Sequence, residues 1–269
     1  MTPATVGVLT ADVLAGRYGP SPADLVATSV FWVHHGTRLA GGTTTYRNQY
    51  LLVRVGAAFG ACAFEAGEVD PEVCAAASGS PLDVLLRAGP GALRTAALDA
   101  YLAAQAPHRD SVATPVVLPA GPPEARARAR DTAVAGLLDV APGARVALIG
   151  VVNPLVAAIR DRGAEPLLCD LNLRVTQWGD PVTAVMADVL ETADAVVATG
   201  MTLGNGTFDL ILDRCRERAV PLIVYAQTAS AVARAFVGGG VTALSAEPFP
   251  FSQFSADPTV LYLYREGRS

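Results

Sequence analysis

From residue 145 onward the chain alternates short apolar runs with amphipathic segments of helix length. The runs RVALIG (145–150), PLLCD (166–170) and DAVVATGMTLGNGT (194–207) are rich in Val, Ala, Leu and Ile before each turns small or polar. Strands buried on both faces read this way, so the pattern predicts a parallel sheet covered by helices. PLIVYAQ, VTALSA and TVLYLYRE read as further strands, with a glycine-stopped helix in AQTASAVARAFVGGG between the first two. In an open α/β sheet ligands bind outside the carboxyl ends of the strands. Gly150, Asn153, Asp170, Thr199, Gly200, Thr202, Asn205 and Thr207 all fall at those ends and form the expected binding set.

The first half has a different rhythm. Residues 6–16 read as a short helix, stopped by the two prolines of RYGPSP. LVATSVFWVHHGTRLAGG is rich in β-branched and aromatic residues and predicts a strand ending at Gly36. After a Gly41-Gly42 turn, TTTYRNQYLLVRVG reads as its antiparallel partner, with AAFGACAFEAG as a third strand. SPLDVLLRAGPGALRTAALDAYLAAQAP carries two helices, the first opened by a box-like pair of Ser80 and Asp83. Residues 1–106 are therefore expected to form a small α+β domain. Residues 107–123 hold five prolines and read as a linker, and residues 124–269 form the α/β domain. In EARARARDTAVAGLLDV the residues Arg126, Arg128 and Arg130 lie at i, i+2 and i+4. They do not share one helix face, which favours a solvated surface over an anion site.

Composition narrows the partners. The 269 residues are 51% hydrophobic and 17% charged, with a net charge of −5 and no basic cluster. Nothing here resembles a nucleic-acid footprint, and a small molecule is the expected partner. No run approaches the ~18 apolar residues of a membrane span, and no basic start precedes an apolar core at the N-terminus. The expectation is a cytoplasmic protein without membrane contact; homo-oligomerisation stays open. Cys62, Cys74, Cys169 and Cys215 form no CxxC pair and read as small buried hydrophobes.

Particular residues suggest chemistry. Gly150 would let a ligand approach the backbone ahead of a helix N-terminus, although GVVNP is not a GxGxxG fingerprint. About twenty residues later, Asp170 is placed either to accept hydrogen bonds from ribose hydroxyls or to cap the turn LNLR through its own side chain. TGMTLGNGT reads as a ligand loop, with Thr207 capping the next helix; the alternative is a tight turn with Asn205 and Gly206 left-handed. In HGTRLAGGTTTYRNQY, Thr43, Thr45 and Arg47 share one strand face and Thr44, Tyr46 and Asn48 the other. Tyr46 and Asn48 are the candidates to orient a substrate amine and Arg38 a carboxylate, against the alternative of an ordinary exposed hairpin. FPFSQF before the last strand is either a lid or an edge covering.

The run TGMTLGNGTFDLIL, preceded by ADAVVA and followed by VPLIVY, resembles the Rossmann-like family described as "putative heavy-metal chelation" proteins, the domain of unknown function 364. The resemblance covers about residues 124–264. More weakly, the N-terminal half resembles the small enolase-N-terminal-like domain that precedes it in that family. It implies two domains with a cleft between them. As metal donors, His34 and His35 are adjacent and would point to opposite faces of a strand, and His108 sits in the linker. A soft-metal site is therefore poorly supplied, whereas carboxylates would suit a hard ion. The same strand ends also look like class I S-adenosylmethionine-binding enzymes. The leading expectation is an enzyme binding S-adenosylmethionine or a related adenosyl or amino-acid ligand, for group transfer or intramolecular displacement. The alternative is a non-catalytic heavy-metal or metal-chelate binding protein.

Overall fold

The computed structural model describes residues 2–38, 45–249, 251–254 and 256–267. Its first unit contains α1 (Val6–Leu14), β1 (Ser29–Thr37), β2 (Tyr46–Val55), β3 (Ala58–Phe64), α2 (Val73–Ala77), α3 (Leu82–Ala88) and α4 (Gly91–Gln105). The strands form an antiparallel sheet in the order β1-β2-β3, as their alternating β-branched and aromatic residues predict. Helix α1 opens on Thr5, whose hydroxyl accepts from the Val8 N–H at 3.1 Å. Helix α3 opens instead on Pro81 without a side-chain cap, so the Ser80–Asp83 box does not form.

The second unit contains β4 (Thr114–Leu118), α5 (Pro123–Ala135), β5 (Arg145–Ile149), α6 (Asn153–Arg160), β6 (Glu165–Cys169), α7 (Met186–Leu190) and β7 (Ala195–Thr199). It continues through α8 (Met201–Gly204), α9 (Phe208–Arg218), β8 (Leu222–Ala226), α10 (Ser230–Arg234), β9 (Ala243–Ala246) and β10 (Thr259–Arg265). Its seven strands run β4-β10-β9-β8-β7-β5-β6, with β5 to β9 parallel and β10 antiparallel to both its neighbours. The segment 107–123, read as a linker from its prolines, adds the edge strand β4 on its way. Pro115 is tolerated there because an edge strand leaves one side of its backbone unpaired. β5 has β6 on one side and β7 on the other, so the winding reverses between β5 and β7; this topological switch point is where α/β sheets open a crevice.

Both faces of the sheet are buried. Val146, Leu148, Val197 and Ile223 pack with Val134, Leu155 and Ile159 from α5 and α6. Their neighbours Ala147, Ile149, Val196, Ala198 and Val224 belong to a core that runs on into Leu51, Val53 and Cys62 of the small sheet and Leu93 and Leu98 of α4. The small unit is thus a further layer of one continuous core, with α4 between the two sheets. The approach of β3 to α4 requires Gly60, where a Cβ would lie 2.0 Å from the Ala100 amide nitrogen.

A single buried carboxylate closes this arrangement. Asp99 on α4 is 4% exposed. It accepts from the Ala61 N–H of edge strand β3 at 3.0 Å and from the Ala231 and Val232 N–H groups opening α10 at 2.8 and 3.3 Å. The Ala61 carbonyl in turn accepts from Ala229 N–H at 2.8 Å. Edge strand and helix start, each with unpaired amides, satisfy one another through Asp99. Burial pushes its carboxyl up to about 6, while the three amides pull it down. Replacing Asp99 by Ala strands three buried N–H groups, each costing roughly 1–3 kcal/mol, so Asp99→Ala should lower unfolding stability by about 3 kcal/mol or more. Urea denaturation checks this; a loss under about 1 kcal/mol would remove the linking role.

Candidate functional site

Gly150, Asp170 and Thr199 close the adjacent strands β5, β6 and β7, as the register of Ile149 with Cys169 and Ala198 requires. Gly150 has φ +86°, and a Cβ there would lie 2.5 Å from Thr199 Cγ2 and 3.1 Å from the Tyr225 hydroxyl. The glycine is needed for this packing, so the space expected for a ligand against its backbone is filled from within the protein. Its carbonyl accepts from the Tyr225 hydroxyl at 2.6 Å.

Asp170 is half-buried. Its Oδ1 accepts from the Asn172 and Leu173 N–H groups at 2.8 and 2.9 Å, the turn-capping arrangement. Oδ2 accepts from Val151 N–H at 2.8 Å and so ties the second strand's end to the first turn. Asn153, at the start of α6, accepts from Gln177 N–H at 3.2 Å. Asn172 also donates to Glu65, just past β3, at 3.0 Å, and so brings the small unit to the rim.

The 199–207 loop is a compact turn whose polar groups largely satisfy each other. Thr202 donates to the Thr199 carbonyl at 2.7 Å, and the Thr199 hydroxyl accepts from Met201 N–H at 3.4 Å. Thr207 stands at the N-cap position of α9, but its side chain does not cap the helix. Its hydroxyl turns back to donate to Asn205 Oδ1 at 2.7 Å, because the Thr207 backbone is already in the helical region. Gly206 is left-handed at φ +78°, whereas Asn205 has φ −87°. Gly200 and Gly204 are sites of close approach: a Cβ would lie 2.6 Å from the Thr228 carbonyl at the first and 2.6 Å from Cys62 Sγ at the second. The loop is wedged against the small unit.

Of the hairpin candidates, Arg38 is exposed and donates to Thr45 at 2.9 Å. Asn48 pairs with His35 across β1 and β2. The Tyr46 backbone pairs with Thr37, but its side chain lies outside the described residues, as do Thr43, Thr44 and the Gly41-Gly42 turn. The strand face carrying Asn48 also carries Tyr50, which stacks on His35 at 5.7 Å and meets Phe249 edge-on at 5.2 Å. Phe251 meets Phe59 of β3 at 4.7 Å, so Phe249 and Phe251 cover the small sheet.

The densest buried chemistry lies where the sequence suggested a solvated surface. Arg126 is 3% exposed and donates to the carbonyls of Pro119 and Asp257. Arg130 makes a forked pair with Glu247 at 2.6 and 3.1 Å, and Gln227 donates to the same carboxylate at 2.9 Å. The i, i+2, i+4 argument could not foresee a partner 117 positions away. Beside this pair, Asp131 is 5% exposed, and burial together with Glu247 pushes its carboxyl up to about 7, against the pull of Arg130. In register across β7, β8 and β9 lie Thr199, Tyr225 and Ser245, on the sheet face that α5 covers. Burial drives the Tyr225 phenol well above its ordinary value, and Asp131 and Asp170 add to the effect. The cue for Asp131 was available: Ala127, Asp131, Val134, Ala135 and Leu138 form one helical stripe, and only the aspartate is charged.

A resident metal is poorly provided for. His34 is exposed and His35 half-buried. Buried His108 is held by Tyr264 at 2.7 Å and Ser230 at 3.1 Å, with its pKa lowered to about 3 by burial and Arg234. Among the described residues no group of three or more His, Cys, Asp or Glu converges as metal ligands. The cysteines are free, three of them buried and Cys74 half-buried. A depression of about 610 Å³ lies along β6 beside Arg160, Leu168 and Asp180, and another of about 340 Å³ beside Cys215 and Gly240; neither is lined by the rim residues. No described helix is long and apolar enough to cross a membrane.

The fold is an α/β domain with a mostly parallel sheet, preceded by a smaller unit with an antiparallel one. Residues 133–247 match the family model DUF364, described as "Putative heavy-metal chelation". A crystal structure of a DUF364-family protein of unknown function from Desulfitobacterium hafniense DCB-2 superposes with a TM-score of 0.60 at 13% identity. It covers 96% of this chain and 98% of that one. A second, from Pyrococcus horikoshii, gives 0.58 at 16% identity, with the same 96% and 98% coverage. Both share the fold across both units. No curated protein matches the chain.

The buried carboxyl of Asp131 carries a pH signature. Its folded value of about 7 lies above the ordinary 3.8, so between these values the folded state holds a proton that the unfolded state has lost. Its contribution therefore weakens stability as pH rises through that window, by at most about 4 kcal/mol over roughly three units. Asp131→Asn should gain on the wild type in urea unfolding as the pH goes from about 4 to about 7. An unchanged difference across that range contradicts the assignment.

Proposed function

We propose that the protein binds a small molecule at the carboxyl rim of its parallel sheet and acts on it by group transfer or intramolecular displacement. The leading ligand class is S-adenosylmethionine or a related adenosyl or amino-acid compound. The observation that carries this reading is the convergence at the switch point. Gly150, Asp170 and Thr199 end adjacent strands, Asp170 grips the first turn through Val151, and Asn172 reaches Glu65 of the small unit. A carboxylate has about four lone-pair positions, so Asp170 with three amide partners keeps one on Oδ2 for a ligand hydroxyl. Asn153, Thr199, Gly200, Thr202, Asn205 and Thr207 frame the same rim. Tyr46, Asn48 and Arg38 are the candidates to orient a substrate from the small unit. Rate enhancement would come from positioning and from fixed charges.

The family description favours a second reading, in which the ligand contains a heavy metal. The donor set does not fit a bare resident ion, since no three metal-binding side chains converge among the described residues. A metal would have to arrive inside an organic chelate, recognised by its organic part. Calorimetric titration separates the two readings. Saturable binding of S-adenosylmethionine, with no tight binding of nickel, copper or zinc ions, is expected; tight metal binding without nucleoside binding would reverse the choice. In a folded Asp170→Ala variant the adenosyl ligand should bind more than tenfold more weakly, about 1.4 kcal/mol or more. Unchanged affinity removes the ribose role.

A further inference from the structure

One buried group has no structural employment. Neither the carboxylate of Asp131, 5% exposed, nor the hydroxyl of Ser245, 2% exposed, has a hydrogen-bond partner among the described residues. Buried polar groups are nearly always paired, so an unpaired carboxylate calls for an explanation. Among the described residues no side-chain nitrogen or oxygen fully sealed from solvent lacks a partner, so the unpaired oxygens of Asp131 and Ser245 border accessible space rather than closed packing. Tyr225 lies between Thr199 and Ser245 in register; its hydroxyl proton is directed to the Gly150 carbonyl, and its oxygen, which meets the Thr199 hydroxyl, keeps one further lone pair able to accept.

Charge decides what this position holds. The surrounding ionisable groups are Arg130 on α5, Glu247 after β9 and Tyr225 on β8. Arg130 and Glu247 neutralise each other through their forked pair, and Gln227 occupies a further lone pair of Glu247. Tyr225 stays neutral because burial holds its phenol up. Asp131 in its ionised form then has, among the described residues, no ion-pair partner of its own beyond the field of Arg130, and it lies on the helix that covers the sheet face of Tyr225 and Ser245. An anion is repelled, and a neutral hydroxyl donates one hydrogen bond but leaves the charge uncompensated. A primary ammonium brings one positive charge and three N–H donors, matched by acceptors on Asp131, Ser245 and Tyr225.

We propose that Asp131, Ser245 and Tyr225 form a subsite for the primary ammonium group of the ligand, at the carboxyl ends of β8 and β9 under α5. The assignment deepens the rim reading, and rests on it only for the identity of the larger ligand. It departs from the expectation that the hairpin residues Tyr46 and Asn48 hold the substrate amine. Binding of the cation displaces the proton that Asp131 carries in part near neutrality, so affinity rises with pH through that region.

The test compares wild type, Asp131→Asn and Ser245→Ala with two calorimetric probes and one thermal one. S-Adenosylmethionine carries an α-ammonium group, whereas 5′-methylthioadenosine lacks the amino-acid portion. Asp131→Asn should weaken the first more than tenfold and leave the second unchanged, and Ser245→Ala should act in the same direction by a smaller factor. Equal binding of S-adenosylmethionine by wild type and Asp131→Asn overturns the subsite while leaving the rim reading in place. Should wild type bind neither nucleoside, the adenosyl reading fails and methylammonium chloride, set against equal sodium chloride, decides alone. A higher unfolding temperature with methylammonium in wild type but not in Asp131→Asn, and none with tetramethylammonium, supports the subsite. The same response in both proteins rejects it.

Discussion

The structure depends on a carboxylate buried between two sheets. Asp99 receives the Ala61 amide of edge strand β3 together with the Ala231 and Val232 amides in the first turn of α10. A strand edge and a helix start are each incomplete in isolation, because their N–H groups project beyond the regular ladder. Joining both on one side chain fixes where the small unit sits against the parallel sheet. The hydrophobic core, which runs unbroken from Leu51 and Val53 to Val196 and Val224, supplies the bulk of the attraction. Asp99 supplies the register.

That register controls the rim. With α4 and β3 held in place, Cys62 presses against Gly204 and Glu65 meets Asn172, so two of the three turns at the carboxyl ends touch the small unit directly. The hydroxyls of the 199–207 loop spend their hydrogen bonds on the loop itself. They keep the rim rigid, and the unspent polar capacity lies at Asp131 on α5 and at Ser245 on β9, two strands further on. Among the described residues every sealed polar side-chain atom is paired, and the Asp131 carboxylate, 5% exposed and without a hydrogen-bond partner there, instead borders accessible space.

Much of this was legible in the chain. Apolar runs ending in small or polar residues located β5 to β10, and their ends gave the rim, because side-chain period and burial on both faces leave a plain trace in sequence. The cap on LNLR was readable from Asp170 alone. Less visible was anything set by long-range approach. Arg130 pairs with Glu247 across 117 positions, and Gly150 is glycine because Thr199 and Tyr225 occupy its Cβ space. Thr207 looked like a cap from its position, but the helical conformation of its backbone turned the hydroxyl toward Asn205. The prolines of 107–123 concealed β4, since an edge strand accepts a residue without an amide proton. The lone aspartate on the apolar stripe of α5 was the one legible cue to the buried cluster.

The central claim is that the ligand lies over the carboxyl ends of β5, β6 and β7, with its positive group turned toward α5. A crystal structure of the full chain grown with S-adenosylmethionine addresses this most directly. The account predicts ligand density on that rim, with its amino nitrogen within hydrogen-bond distance of the Asp131 carboxylate. Density in the depression along β6 instead, or on the rim with the amino group turned away from Asp131, would contradict it.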